Sequence, residues 1–133
     1  MPLVRFDLIQ GRTDEEVQTL LDAAHRALVD AFGVPERDRY QIVHEHPASR
    51  LILQDTGLGI ARTNKVVVLT LVTRPRSEGS KTRFYQALCR ELEENCGIAP
   101  SDVIVSMVTN SDSDWSFGNG RAQFMTGELS PPR

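Results

Sequence analysis

The chain repeats its own pattern at an offset of 64 residues, and this internal repeat constrains the fold more than any other feature. The apolar segment Leu3–Ile9 aligns without a gap on Val67–Thr73, and Gly33 aligns with Gly97. Few residues are identical, but the positions that begin and end structural elements coincide. Self-similarity of this kind indicates two copies of one supersecondary unit. We therefore expect two equivalent halves within a single domain of 133 residues.

Each half predicts a strand, a helix and a second strand. Residues 13–16 have the T-x-x-E pattern of a helix capping box, and Gly33 is placed to end that helix in a left-handed turn. Ser77 and Gly97 mark the same two helix ends in the second half. Apolar residues recur at helical spacing between these ends. The predicted stripes are Val17, Leu20, Leu21, Ala24, Leu28 and Ala31, then Phe84, Tyr85, Leu88 and Leu92.

These elements predict an α/β (α+β) fold built from two pseudo-symmetric βαβ units, at about residues 2–46 and 66–109. The units would form a four-stranded mixed sheet with two helices on one face. We expect them to meet through antiparallel first strands, although a ferredoxin-like arrangement fits the same order of elements. Residues 110–133 predict a C-terminal hairpin, turning at Asn119-Gly120, and a loose tail.

The third predicted strand indicates that the sheet needs a second cover. Residues 66–72 read VVVLTLV and are apolar almost throughout, which is typical of a strand buried on both faces. Two helices can cover only one face of a four-stranded sheet. We therefore expect the chain to self-associate with its sheets packed inward.

Composition argues against several classes of protein. A net charge of −3 gives no global basic field for nucleic acid, and no apolar run approaches the roughly 20 residues that span a membrane. The first thirty residues lack a secretory leader, so we expect a cytoplasmic protein with reduced cysteines at positions 89 and 96. His44 and His46 share one side of a strand without a third ligand, so no metal site is predicted. Residues 56–59, TGLG, lack the full pattern of a phosphate loop.

Polar residues that are distant in sequence converge in the predicted sheet. Pro2 begins the first strand and Asp38 precedes the second, and parallel strands start at the same end of a sheet. An antiparallel third strand would bring its end, the R-P-R sequence with Arg74 and Arg76, beside Pro2. Residues two apart in an extended segment share a side, so both guanidinium groups can point into one site. Removal of Met1 would turn Pro2 into a secondary amine.

Each candidate also has a purely structural interpretation. Asp38 has a repeat partner in Asp102 and can be a turn residue. An R-P-R sequence after a strand is often a solvated pair, and a proline at the second position is commonly idle. Trp115, Phe117 and Phe124 can be ordinary core residues, or they can form the wall of a pocket. The residues alone leave these alternatives open.

The chain resembles the tautomerase superfamily, and within it the malonate semialdehyde decarboxylase family, from Pro2 to about residue 129. The matching sequences include GRTD, DTGLG, TRPRSE and most of NSDSDWSFGNGRAQFMTGEL. The resemblance implies that Pro2 is the catalytic amine, with Asp38, Arg74 and Arg76 around it. It also implies a homotrimer, no cofactor and a hydrophobic wall around the substrate. The implied wall residues are Trp115, Phe117, Phe124 and Leu129.

The implied activity is the cofactor-free decarboxylation of malonate semialdehyde, a small carboxylate, to acetaldehyde and carbon dioxide. Two alternatives stay open: a tautomerase or hydratase of small unsaturated or 2-oxo acids, and a non-catalytic trimeric interaction protein. The protonation of the proline amine separates the chemistries. Nearby arginines lower the pKa of an amine and give a base for tautomerisation, whereas a nearby carboxylate raises it and gives an acid for decarboxylation or hydration.

Overall fold

A mixed four-stranded sheet in the order β2-β1-β3-β4 organises the protein, as a computed structural model of residues 1–129 shows. β1 pairs in parallel with β2, and β3 pairs in parallel with β4. The two units meet through antiparallel β1 and β3, as predicted, and not in the ferredoxin-like order. The elements are β1 Leu3–Ile9, α1 Asp14–Phe32, β2 Tyr40–His46, β3 Val67–Thr73, α2 Glu78–Cys96, β4 Val103–Thr109 and α3 Gln123–Thr126.

The two long helices begin and end where the sequence predicts. Thr13 forms the complete capping box with Glu16, and Ser77 caps α2 by accepting a hydrogen bond from the backbone of Ser80. Gly33 and Gly97 end the helices with φ angles of 64° and 65°, in the left-handed region that glycine adopts without steric cost. Local chemistry therefore sets both helix lengths in the same way.

The hydrophobic core lies between the two helices and one face of the sheet. Alternate residues of β1 and β3, such as Phe6 and Leu69, are fully buried against this layer. The predicted stripe of α1 faces it, with Val17 at its margin. The prediction for Tyr85 is wrong, since 38% of this residue is exposed. Ala87 is buried instead, because residues three and four positions after Phe84 lie on the same face of α2 as Phe84.

The opposite face of the sheet is only partly buried within the chain. Val68, Thr70 and Val72 of β3 are of intermediate exposure, in alternation with the fully buried residues on the helix face. His46 contacts the Asp7 carboxylate at 2.7 Å, so one of the two predicted strand histidines has a protein partner. The central strand thus presents a half-covered apolar face beside polar groups.

The predicted C-terminal hairpin is wrong. Asn119 and Gly120 do form a turn, both with positive φ angles, but residues 110–129 contain no strand. Gln123 supplies the physical reason, because its side chain accepts a hydrogen bond from the Phe117 N–H and donates one to the Gly118 carbonyl. A side chain thereby takes the place of a ladder of backbone bonds. The predicted tail, residues 130–133, lies outside the described residues.

Three further features complete the fold. Asp55 accepts hydrogen bonds from the N–H groups of Gly57 and Gly59, which closes the loop between β2 and β3. Cys89 and Cys96 both lie on α2 as free thiols. Across residues 1–129, the structure has no helix that is long and apolar enough to cross a membrane.

Candidate active site

The start of the chain contacts two of the predicted site residues. The Met1 amino group forms an ion pair with the Asp38 carboxylate, and the Met1 carbonyl accepts a hydrogen bond of 2.7 Å from Arg76. Met1 is only 2% exposed, and Pro2 is buried behind it. Pro2 and Asp38 line the same small space beneath the start of β2. Strand order therefore brings together residues that are 75 positions apart along the chain.

Two further contacts with residues in the described part of the chain hold Arg76 at the end of β3. Its Nε donates to the Thr73 hydroxyl at 3.2 Å, and its guanidinium lies over the Phe32 ring at 4.8 Å. Thr73 is itself fully buried. The fork of an arginine suits a carboxylate or a carbonyl oxygen, and it stays charged over the physiological range. Arg76 thus presents a charged donor to the oxygen of the carbonyl group whose carbon is bonded to the Pro2 nitrogen.

Arg74 takes different partners and is 6% exposed. Its Nε donates to Asp112 at 2.6 Å, and its guanidinium carbon lies 4.0 Å above the centre of the Phe124 ring. The two arginines therefore stack on two different rings, and Arg74 faces the segment that follows β4. A hydrogen bond from the Asn110 N–H to the Thr73 carbonyl attaches this segment to the end of β3.

The aromatic residues of the C-terminal segment pack into one continuous group. Trp115 stacks on Phe117 with centroids 5.6 Å apart, and Phe117 meets Phe124 edge to face at 5.4 Å. Tyr40, at the start of β2, packs against Phe117 with ring centroids 5.7 Å apart. The Trp115 indole donates to Asn110 at 2.7 Å, which satisfies its one polar atom. The group forms an apolar wall beside Met1 and Asp38.

A turn at Asp112–Asp114 begins this segment and is closed by its own hydrogen bonds. The Ser111 N–H and hydroxyl each donate to the Asp114 carboxylate at 2.9 Å. These two bonds hold the pKa of Asp114 below its ordinary value, because they favour the ionised form. The turn leaves Asp112 oriented toward Arg74, so two acidic residues of one turn have separate partners.

The wall and the start of the chain enclose a cavity of about 370 Å³. Four of the residues named from the sequence line it: Asp38, Phe117, Phe124 and Leu129. Pro2, Arg74, Arg76 and Trp115 lie behind its lining, each next to or in contact with a lining residue. Met1 covers the position at which the Pro2 nitrogen meets this space.

Sequence reasoning missed several residues of the cavity. Arg37 and Tyr40 flank Asp38 in the sequence RDRY, and their proximity to a candidate site residue was the available signal. Gln123 also lines the cavity, but the expectation of a hairpin concealed its role. Asp112 gave no signal, since its contact to Arg74 joins residues 38 positions apart.

The internal repeat produces a second contact equivalent to that between Arg76 and the Met1 carbonyl. Arg12, the repeat partner of Arg76, donates to the Lys65 carbonyl at 2.7 Å, and Lys65 is the repeat partner of Met1. Burial lowers the pKa of Arg12, and the charge of Glu16 is the strongest influence opposing that shift. Asp102, the partner of Asp38, is 2% exposed and bound by Thr63 rather than by a chain terminus.

The site is rich in arginine and contains few groups that bind metal ions. No cluster of three or more histidine, cysteine, aspartate or glutamate side chains with metal-binding geometry occurs within residues 1–129. Amine, carboxylate and guanidinium groups can together bind a small anion, transfer a proton and stabilise developing negative charge. The apolar wall limits water around such a ligand.

Comparisons with known proteins agree on the relationship. Two family models, both described as tautomerase enzyme, match residues 38–118 and 2–61. The probable tautomerase YrdN of Bacillus subtilis (strain 168) is 55% identical over 129 residues, which is 97% of this chain and all of that protein.

Solved structures extend the comparison. One is a malonate semialdehyde decarboxylase, solved in wild-type, mutant and inactivated forms and described with decarboxylase and hydratase activities. It superposes on this chain with a TM-score of 0.95 at 58% identity, over 96% of this chain and 99% of that one. The FG41 malonate semialdehyde decarboxylase inhibited by 3-bromopropiolate gives 0.94 at 40% identity, over 98% and 99%. A fused 4-OT solved as a symmetric trimer shares the fold, with 0.76 at 23% identity over 94% and 98%.

Proposed function

Since the chain belongs to the tautomerase family, we propose that it is an enzyme that decarboxylates malonate semialdehyde through the amine of Pro2, exposed after Met1 is removed. One observation carries the proposal. The Met1 carbonyl carbon is bonded to the Pro2 nitrogen, and its oxygen lies on Arg76 at 2.7 Å. A substrate carbonyl that meets the free Pro2 amine would occupy the same position, with its oxygen on the same donor.

Asp38 and Arg76 have complementary roles in this proposal. The carboxylate of Asp38, which now holds the Met1 amine, favours the protonated form of an amine at the chain start. A protonated Pro2 can donate a hydrogen bond or a proton to the substrate carbonyl oxygen. Arg76 adds a second, permanently charged donor to that oxygen. Stabilisation of an oxygen that gains negative charge is commonly the largest single contribution to catalysis.

The reaction balances without an added cofactor. The bond between the methylene carbon and the carboxylate carbon breaks, and its electron pair moves into the aldehyde to give an enol or enolate. Carbon dioxide leaves, and protonation of the methylene carbon gives acetaldehyde. An iminium formed between Pro2 and the aldehyde would accept the same electron pair, with loss of water on formation and its return on hydrolysis. Both forms of the mechanism require a free Pro2 nitrogen.

Arg74 and the aromatic wall act on the substrate carboxylate. Arg74 can bind and orient this carboxylate. Binding that is equally strong in the ground state and in the transition state does not accelerate the reaction, however. The wall formed by Phe117 and Phe124 supplies the difference, because departing carbon dioxide is neutral and favours an apolar surface. The carboxylate is charged and loses hydration beside the same surface.

A tautomerase of a larger enol acid is the second candidate, and one observation favours it. The cavity of about 370 Å³ and its aromatic lining exceed what a three-carbon acid requires. A relative at 55% identity is also named as a probable tautomerase. In that reaction Pro2 would act as a base in its neutral form and move a proton between oxygen and carbon.

The assembly we propose is a homotrimer with the sheets facing inward. The half-buried Val68, Thr70 and Val72 supply an apolar face for contact between copies of the chain. A protein of the same fold is described as a symmetric trimer. Light scattering at micromolar concentration is expected to give the mass of three chains, and a monomer would contradict the proposal.

Proton NMR of the mature protein tests the function directly. The sample, shown by mass spectrometry to lack Met1, is mixed with malonate semialdehyde and, separately, with phenylenolpyruvate. Acetaldehyde formed from the first substrate supports decarboxylation, whereas rapid ketonisation of the second alone favours the tautomerase. Borohydride reduction during turnover asks whether a covalent adduct forms on Pro2.

Two variants form a matched pair for this test. Arg76→Ala is expected to lower kcat/KM about 10²- to 10³-fold, the usual effect of removing one donor to a developing oxyanion. Arg12→Ala removes the repeat-related contact to the Lys65 carbonyl and is expected to leave kcat/KM unchanged. Pro2→Ala is expected to abolish most of the activity. Equal activity of the Arg76→Ala and wild-type proteins would refute the assignment.

A further inference from the structure

We infer that Asp112 is a positioning residue that acts through Arg74, and this inference rests on the proposed function of the site. Asp112 lies in the turn after β4 and accepts a hydrogen bond of 2.6 Å from the Arg74 Nε. Its own side chain is 40% exposed, whereas that of Arg74 is 8% exposed. The aspartate therefore reaches inward from the surface to a buried cation. None of the residues predicted from sequence explains this contact.

Two contacts restrict two different motions of the guanidinium group. The Phe124 ring, 4.0 Å from the guanidinium carbon, sets the plane of the group. The bond to Asp112 then sets its rotation within that plane, because it engages the Nε edge. Within residues 1–129 the structure records no other hydrogen bond from this guanidinium. The two Nη groups, which form the end of the fork, remain to bind a carboxylate.

The charge of Asp112 serves the same arrangement. An arginine that is almost fully buried without a counter-charge carries a large desolvation cost. Asp112 offsets that cost at the edge that does not face the substrate, so Arg74 can be buried and still available. A neutral acceptor would preserve the direction of the bond and would remove the compensating charge. Loss of the bond direction or of the compensating charge would each leave Arg74 less well placed.

The simpler alternative is that Asp112 only attaches the aromatic segment to the sheet. The same turn contains a matched control for this alternative, Asp114, which binds Ser111 and does not contact Arg74. Loss of the Asp114 side chain removes the bonds that close the turn, whereas loss of the Asp112 side chain removes the contact to Arg74. Only the loss of Asp112 changes the orientation of Arg74.

A double-mutant cycle on the processed protein tests the inference. Asp112→Ala is expected to lower kcat/KM for malonate semialdehyde about 10- to 100-fold, the usual cost of a misplaced binding group. The same change in an Arg74→Ala background is expected to have less than about a twofold effect, since the residue it acts through is gone. Asp112→Asn keeps an acceptor oxygen and is expected to restore part of the loss. Asp114→Ala is expected to leave kcat/KM within about twofold.

Binding of 3-hydroxypropanoate, measured by calorimetry on the same four proteins of the cycle, separates this inference from the proposed function. This non-reacting carboxylate is expected to bind more weakly to Asp112→Ala than to the wild type, and equally to both proteins of the Arg74→Ala background. An inactive wild type with this binding pattern would refute the decarboxylase and keep the positioning role. Additive losses in the two backgrounds, or equal losses in Asp112→Ala and Asp114→Ala, would overturn the positioning role.

Discussion

The repeat-related pair Asp38 and Asp102 allows stability and catalysis to be separated by equivalent substitutions. Asp102 is buried and accepts hydrogen bonds from the Thr63 N–H at 2.8 Å and from the Thr63 hydroxyl at 2.5 Å. Asp38 occupies the equivalent position and holds the amino group at the chain start. We expect Asp102→Ala to destabilise the fold and Asp38→Ala to remove activity.

The magnitude follows from the two bonds that Asp102→Ala removes. A hydrogen bond to a charged group contributes about 1.5–3 kcal/mol. Thr63 is exposed, so water can replace part of what its N–H and hydroxyl lose. We therefore expect the free energy of unfolding to fall by about 2–4 kcal/mol, near the lower end of two full contributions. Asp102→Asn keeps one acceptor and is expected to lose less.

Urea unfolding followed by Trp115 fluorescence measures this change, with all variants at one protein concentration because assembly contributes to apparent stability. The kcat/KM of Asp102→Ala, measured well below its unfolding transition, is expected to match the wild type. Asp38→Ala is expected to lose activity while it keeps most of its stability, since its side chain is more accessible to water. A loss below about 0.5 kcal/mol for Asp102→Ala, within the range of ordinary surface substitutions, would refute the reasoning.

Two further predictions concern the loops. Gln123→Ala removes the side-chain hydrogen bonds to the Phe117 N–H and to the Gly118 carbonyl. We expect kcat/KM to fall about tenfold while the far-UV CD spectrum stays unchanged. Unchanged kinetics would show that packing alone holds the aromatic wall. Hydrogen bonds from two backbone N–H groups lower the pKa of Asp55 from its ordinary value of 3.8. The stabilisation that these bonds give to the loop is therefore present above pH 3.8 and is lost as pH falls through the lowered pKa. An NMR titration of Asp55 is expected to give a midpoint below 3.8, and a midpoint at or above this value would contradict the structure.

The parts of the fold that depend on neighbouring residues could be predicted from sequence. Thr13 and Gly33 determine helix ends through contacts within one turn, so their types and spacing were sufficient. The repeat predicted two equivalent units, but two strand orders fitted it, and the structure has the one in which the first strands pair. Tyr85 was misplaced because an aromatic residue beside the core stripe satisfies the same periodicity.

The candidate site was predictable only where strand order alone brings residues together. Pro2, Asp38 and Arg76 lie at strand ends, so the topology was enough to predict their proximity. Gln123 and Asp112 contact their partners through side chains on irregular backbone, which leaves no periodic pattern in a sequence. Residues of this kind require coordinates.

The paired contacts of Arg76 with the Met1 carbonyl and of Arg12 with the Lys65 carbonyl have a consequence for how many amines such a scaffold can hold. A linear polypeptide has one amino end, so a chain that contains two βαβ units can supply only one reactive terminal amine. Removal of Met1 takes the carbonyl away from Arg76, whereas the peptide bond after Lys65 keeps the other carbonyl in place. Cleavage of the chain between Lys65 and residue 66 would be needed to create a second amino end beside Arg12.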